Sequence, residues 1–189
     1  MPITQRIARL ILRVLGWTCV DIETRPPRAV LVAYPHTSNW DFPLGLLVRA
    51  ALGLNIRWVG KDALFRGPLG VPMRALGGIP VNRSAPADFV ERIATALRTG
   101  PPALLAIAPE GTRSYVPGWK TGFHRIARAA NVPIIAGVID YGQRRLGLLA
   151  VIETHEDIDI DLAALAKLYS HSRGLRPELA GPIQRIPHD

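Results

Sequence analysis

The stretch Ala29-Val30-Leu31-Val32-Ala33-Tyr34-Pro35-His36-Thr37-Ser38-Asn39-Trp40-Asp41 decides how the chain is read. Its first six residues form an unbroken apolar run of the kind that fills a strand buried on both faces. Pro35 ends the run, because a proline cannot donate to a central ladder. A histidine and an aspartate then stand five residues apart. On a regular helix that spacing places them on different faces, and on a strand on opposite faces. They meet only if the chain turns between them, with His36 on a loop and Asp41 near a helix start that Ser38 or Asn39 can cap. A carboxylate bonded to one imidazole nitrogen fixes the tautomer and leaves the other nitrogen as a base. The plain alternative is a capping aspartate beside an incidental loop histidine.

Outward from this stretch, apolar runs alternate with helical patterns. Residues 40–52 read as a helix stopped by Gly53. Residues 56–60 read as a strand, 61–65 as one or two helical turns, and 77–82 as an edge strand containing Pro80. Ser84 and Pro86 suit the cap and first turn of a helix whose apolar face holds Phe89, Val90, Ile93, Ala94 and Leu97. Residues 103–108 read as a central strand. A helix within 119–130, strands at 133–139 and 146–152, and a helix at 161–170 follow. The expectation is a single α/β domain with a mostly parallel or mixed sheet flanked by helices. Its boundaries fall at 1–18 for an N-terminal helix, 19–172 for the domain and 173–189 for a surface tail interrupted by Pro177, Pro182 and Pro187.

Composition narrows the class. With 189 residues, 48% hydrophobic and 20% charged, the chain can bury a core and is not of disordered composition. Its net charge of +8 favours an anionic partner: phosphate, an acidic membrane surface or nucleic acid. Nucleic acid is disfavoured, because the arginines are dispersed and no stacking platform or binding motif accompanies them. Cys19 is the only cysteine, which excludes an intrachain disulfide and a thiolate metal cluster. At the N-terminus, Ile3, Ile7, Leu10, Ile11, Val14 and Leu15 recur at helical spacing beside Arg6, Arg9 and Arg13. That is a basic amphipathic helix suited to an anionic lipid surface, or else to packing on its own domain. The arginines interrupt it too often for it to cross a bilayer.

Open α/β sheets place sites beyond the carboxyl ends of their strands. His36 follows the first strand, Arg83 follows residues 77–82, and Glu110 to Ser114 follow 103–108. This offers a base, an orienting carboxylate and two guanidinium groups, whose planar donors match a phosphate. Taken singly, Arg83 is as readily a solvated loop residue, and Glu110 with Arg113 a surface ion pair of little worth. Glu153, His155, Asp157, Asp159 and Asp161 form an acidic cluster. The alternation with Ile158 and Ile160 reads as a half-buried edge with solvated carboxylates and not as a metal site.

Four blocks occurring in order resemble the glycerolipid acyltransferase family, typified by lysophosphatidate acyltransferases. His36-Thr37-Ser38-Asn39-Trp40-Asp41 is similar to the first signature, His-x4-Asp. Gly78-Ile79-Pro80-Val81-Asn82-Arg83 is similar to the second, Pro109-Glu110-Gly111-Thr112-Arg113-Ser114 to the third, and Val132-Pro133-Ile134-Ile135 to the fourth. The resemblance covers roughly residues 28–140. Pro35 stands where the family often has asparagine, and Ala108 where an aromatic residue is common.

The resemblance implies transfer of a fatty acyl group from an acyl thioester, on coenzyme A or acyl carrier protein, to a lysophospholipid hydroxyl. The expected acceptor is 1-acylglycerol-3-phosphate, in phospholipid biosynthesis. It implies His36 as base, Asp41 as its orienting carboxylate, and Arg83, Glu110, Gly111, Thr112 and Arg113 around the acceptor phosphate. It implies no metal and no permanently bound cofactor, and a peripheral place on the cytoplasmic side of the cell membrane. A transacylase, an aminolipid acyltransferase and a non-enzymatic binder of anionic membranes are the alternative readings.

Overall fold

The fold was established from a computed structural model, which describes residues 1–81 and 86–186. Arg83, the capping role of Ser84, and Pro187 lie outside the described residues.

Seven strands form one sheet in the order β1-β7-β6-β2-β5-β3-β4. They are β1 (Thr18–Val20), β2 (Ala29–Tyr34), β3 (Ile56–Lys61), β4 (Gly78–Val81), β5 (Leu104–Ile107), β6 (Ile134–Asp140) and β7 (Arg145–Ile152). All neighbouring pairs are parallel except β6 with β7, which are antiparallel. The expected α/β domain is therefore present, with β4 at the edge where Pro80 can be tolerated. The sequence reading missed β1, whose three residues are too few to show a period and which is held by pairing with β7.

Among the described residues, six α-helices flank the sheet: α1 (Ile3–Val14), α2 (Asp41–Leu52), α3 (Gly70–Ala75), α4 (Pro86–Thr99), α5 (Gly122–Ala130) and α6 (Ile158–Tyr169). Strand alternation divides the core between the two faces. On β2, Val30, Val32 and Tyr34 join Phe89, Ile93, Phe123, Ile126 and Leu165, beneath α4, α5 and α6. Ala29 and Leu31 point the other way, to Ala8 and Leu12 of α1 and Leu44, Val48 and Ala51 of α2. This is why β2 reads as a continuous apolar run and not as an alternating one.

Two expectations change. Helix α6 starts at Ile158, not at 161, because the Asp157 side chain caps it by accepting the Asp159 N–H at 2.9 Å. Asp161 is accordingly not a solvated edge residue. It lies inside the first turn, fully buried, with both oxygens engaged by histidines. At the N-terminus, α1 docks through a narrow side, Ala8 and Leu12, and through Arg9 Nε, which donates to the Ala51 carbonyl. The apolar stripe read from the sequence points outward, with Ile3, Ile7, Leu10 and Val14 between 51% and 77% exposed. The helix thus packs on its domain and still presents its stripe. Among the described residues, no helix is long and apolar enough to cross a membrane.

Candidate active site

Strand β2 ends at Tyr34, the Tyr34–Pro35 peptide is cis, and the chain then turns into α2. His36 sits on that turn and Asp41 is the first helical residue. The turn brings His36 Nδ1 to 3.2 Å from Asp41 Oδ2. The His36 side chain is 21% exposed and the Asp41 side chain 1%, so the imidazole reaches solvent and the carboxylate does not. Nδ1 thus faces the carboxylate, and Nε2 is the ring nitrogen turned away from it. Asp41 Oδ2 also accepts the Ser38 N–H at 2.9 Å, and Oδ1 accepts the Tyr141 hydroxyl at 2.8 Å. Ser38 Oγ accepts the Trp40 N–H just ahead of the helix, and no side chain caps α2 itself.

The loop after β5 closes on this turn. Glu110 is 1% exposed, and its Oε2 accepts the His36 backbone N–H at 2.9 Å. The backbone N–H of Gly181 also bears on the same carboxyl group electrostatically. The sequence reading set Glu110 at the acceptor phosphate or against Arg113; the structure seats it behind the His36 loop. Burial drives its pKa from 4.5 up to about 7, the two backbone N–H groups pull it down, and the Asp41 charge adds a smaller push upward. Oε1 is buried without a hydrogen-bond partner, consistent with a carboxyl that readily holds a proton. Tyr34, beneath it, has its phenol pushed up to about 12, by burial and then by the Glu110 charge.

Arg113 is exposed at the mouth of the site, and its Nε donates to the Ser38 carbonyl at 3.2 Å. Thr112 Oγ1 accepts the Ser114 N–H, so Thr112 shapes the loop. Gly111 has φ +66°, a conformation that costs other residues strain, and a Cβ there would come within 3.3 Å of the Lys120 side chain, its Nζ included. Lys120 therefore brings a cation over the loop that the sequence reading missed.

Two further contributions come from outside the four blocks. Tyr141 follows β6, whose Val138 pairs with Tyr34, so it emerges at the same edge of the sheet as His36. The rule that pointed to the loops after β2 and β5 would have found it. Burial, then its bond to Asp41, raises its pKa far above the ordinary value. The C-terminal segment straps across the same edge. The Arg176 N–H donates to Thr37 Oγ1, the Tyr34 hydroxyl to the Gly181 carbonyl, and the Tyr141 N–H to the Arg173 carbonyl. A Cβ at Gly174 would collide with the Thr37 side chain. This stretch lies on the surface but is fastened to the site.

Among the described residues, no group of three or more histidine, cysteine or acidic side chains is arranged to hold a metal ion. The arrangement offers a polarised imidazole, a buried acid bracing its loop, and cations at the mouth.

The fold resembles that of the crystal structure of the 1-acyl-sn-glycerophosphate acyltransferase PlsC from Thermotoga maritima. The TM-score is 0.58 at 19% sequence identity, over 87% of this chain and 74% of that one. None of the curated proteins is significantly similar to the chain in sequence. The acyltransferase family model matches residues 17–140, a span that contains the His36 turn, the Glu110 loop and the strands that align them. On that match, the chain belongs to the acyltransferase family and is an acyltransferase.

Proposed function

We propose that the protein transfers a fatty acyl group from an acyl thioester to the hydroxyl of a lysophospholipid at a membrane surface, with 1-acylglycerol-3-phosphate as acceptor. The observation that carries this reading is the His36–Asp41 pair at the carboxyl edge of the sheet, beside Arg113 and Lys120. A lipid hydroxyl is a weak nucleophile until a base takes its proton. His36 Nε2 takes that proton as the oxygen attacks the thioester carbonyl. Asp41 stabilises the imidazolium that forms. The tetrahedral intermediate collapses with loss of the thiolate, and the imidazolium returns a proton to it. The hydroxyl attacks directly, without an acyl-enzyme intermediate, because Ser38, the serine of the motif, has its Oγ turned to the Trp40 N–H. Arg113 and Lys120 hold the acceptor phosphate, and Arg83 joins them on its sequence position alone. Glu110 braces the His36 loop, and Gly111 and Thr112 shape the phosphate loop.

The direct test is mass spectrometry of lipids after the purified protein meets mixed lysolipids and long-chain acyl-coenzyme A or acyl carrier protein. Phosphatidate formed only with donor is the expected product; diacyl product without donor would identify a transacylase. Arg113→Ala should weaken the phosphorylated acceptor by about 1.5–3 kcal/mol, the worth of a hydrogen bond to a charged group, and leave the donor little affected. Equal loss on monoacylglycerol removes Arg113 from the phosphate site.

The exposed stripe of α1 supports a peripheral place at the cytoplasmic membrane face. Its outward isoleucines and leucine meet the acyl boundary while Arg6 and Arg13 meet anionic head groups, each worth about 1 kcal/mol near such a surface. Replacing Ile7, Leu10 and Val14 together by Gln leaves the docked side, Ala8 and Leu12, intact. The variant should fold normally and lose its salt-sensitive flotation with anionic vesicles. Undiminished flotation would retire the helix as the membrane contact.

A further inference from the structure

Asp41 is buried, and a carboxylate that water does not reach keeps its orientation only through its neighbours. Oδ2 serves both the Ser38 N–H and His36 Nδ1. Oδ1 has one partner among the described residues, the Tyr141 hydroxyl at 2.8 Å. Without that bond the carboxylate has a buried, unmatched oxygen and is free to turn about its Cβ–Cγ bond, which carries Oδ2 off the imidazole. Tyr141 is itself held in place. Trp17 meets its ring edge-on, with centroids 5.1 Å apart and planes at 82°, and its N–H is bonded to the Arg173 carbonyl.

We propose that Tyr141 is a positioning residue for acyl transfer: its hydroxyl locks the Asp41 carboxylate in the rotamer that presents Oδ2 to His36. The proposal rests on the reading of His36 as the base. The phenol acts through geometry: it satisfies Oδ1, so that Oδ2 stays turned to the imidazole and the Ser38 N–H. Removing the hydroxyl leaves Oδ1 buried without its partner and frees the carboxylate to turn off the imidazole. Other charged groups face this turn as well. Glu110 bonds the His36 N–H, Arg113 bonds the Ser38 carbonyl, and Lys120 lies over Gly111. All of these stay in place when Tyr141 becomes Phe.

Tyr141→Phe keeps the ring and its contact with Trp17 and removes only the hydroxyl. The full-length variant is assayed with lysophosphatidate and long-chain acyl-coenzyme A. The expected result is unchanged KM for both substrates and a kcat lower on the order of tenfold, the worth of one hydrogen bond to a charged group. The His36 ring, one of five imidazoles in the chain and assigned by its absence from His36→Ala, should show shifted NMR signals at fixed pH as the Asp41 carboxylate leaves Nδ1, a readout that needs no turnover. A kcat within about twofold of wild type, with unmoved His36 ring signals, overturns the role of Tyr141. His36→Ala separates the two readings. If it is inactive while Tyr141→Phe is normal, only the Tyr141 proposal fails; if it is active, the His36 reading fails and takes this one with it.

Discussion

Two buried aspartates meet histidines in this molecule, at opposite edges of one sheet. Asp41 lies beyond the carboxyl end of β2, 3.2 Å from His36 Nδ1. Asp161 lies beyond the carboxyl end of β7, with Oδ1 2.6 Å from His155 Nδ1 and Oδ2 3.3 Å from His124 Nε2. Because β7 runs antiparallel, Ile152 at its end pairs with Ile134 at the start of β6. The second cluster is therefore at the amino edge of the parallel strands. As pairs, the two are alike: a buried acid, and an imidazole with one side open to water. They differ in what converges on them. The loops after β5 and β6 bring Glu110, Arg113 and Tyr141 to the His36 turn. Asp161 instead receives the His155 backbone N–H as well, and His124 Nε2 also bonds the His155 carbonyl. It knots the start of α6 to the first turn of α5 and the chain leaving β7. One His–Asp contact thus stands where the loops after parallel strands converge and the other fastens elements together, and strand direction decides which.

The contrast breaks most visibly in turnover. With His36 as the proposed general base, His36→Ala should cost ~10²–10⁴ in kcat without unfolding the protein, since the residue lies on a partly exposed loop. His155→Ala should leave kcat near wild type. A folded His155→Ala protein that is inactive would put catalysis at the wrong edge. The Asp161 cluster should register in stability instead. Asp161→Ala strands the His155 N–H and two imidazoles and should cost roughly 1–3 kcal/mol in urea unfolding, with activity kept in the folded fraction.

A smaller effect sharpens the comparison on the His36 side. Glu110 has its carboxyl raised from 4.5 to about 7 by burial. Between those values the folded protein holds a proton that the unfolded chain has released. Stability therefore falls as pH rises from 4.5 toward about 7 and is level above it, as far as this group is concerned. Glu110→Gln, a neutral side chain of the same shape, should flatten that fall when unfolding is measured across the window. An unchanged slope would mean that Glu110 is already ionised behind the loop.

Much was legible in the chain. The apolar run of β2 and the break at Pro35 placed the central strand, because a strand covered on both faces has no polar positions to alternate with. The His-x4-Asp spacing required a turn, and the turn is there. Helix α1 was legible as amphipathic, but its pattern could not say which apolar residues face inward. Ala8 and Leu12 do, joining the cluster that α2 covers, and the stripe of larger residues is left outside. Glu110 was legible as part of the third block but not as a side chain turned inward, since a motif records identity and not direction. Tyr141 carried no motif at all. Its bond to Asp41 spans 100 positions and exists only because β6 lies beside β2. Local periodicity and spacing, set by the geometry of a helix or a strand, determined most of the elements and the turn that pairs His36 with Asp41. Which side chains complete that pair was decided by strand order and direction, through contacts between residues far apart in the chain.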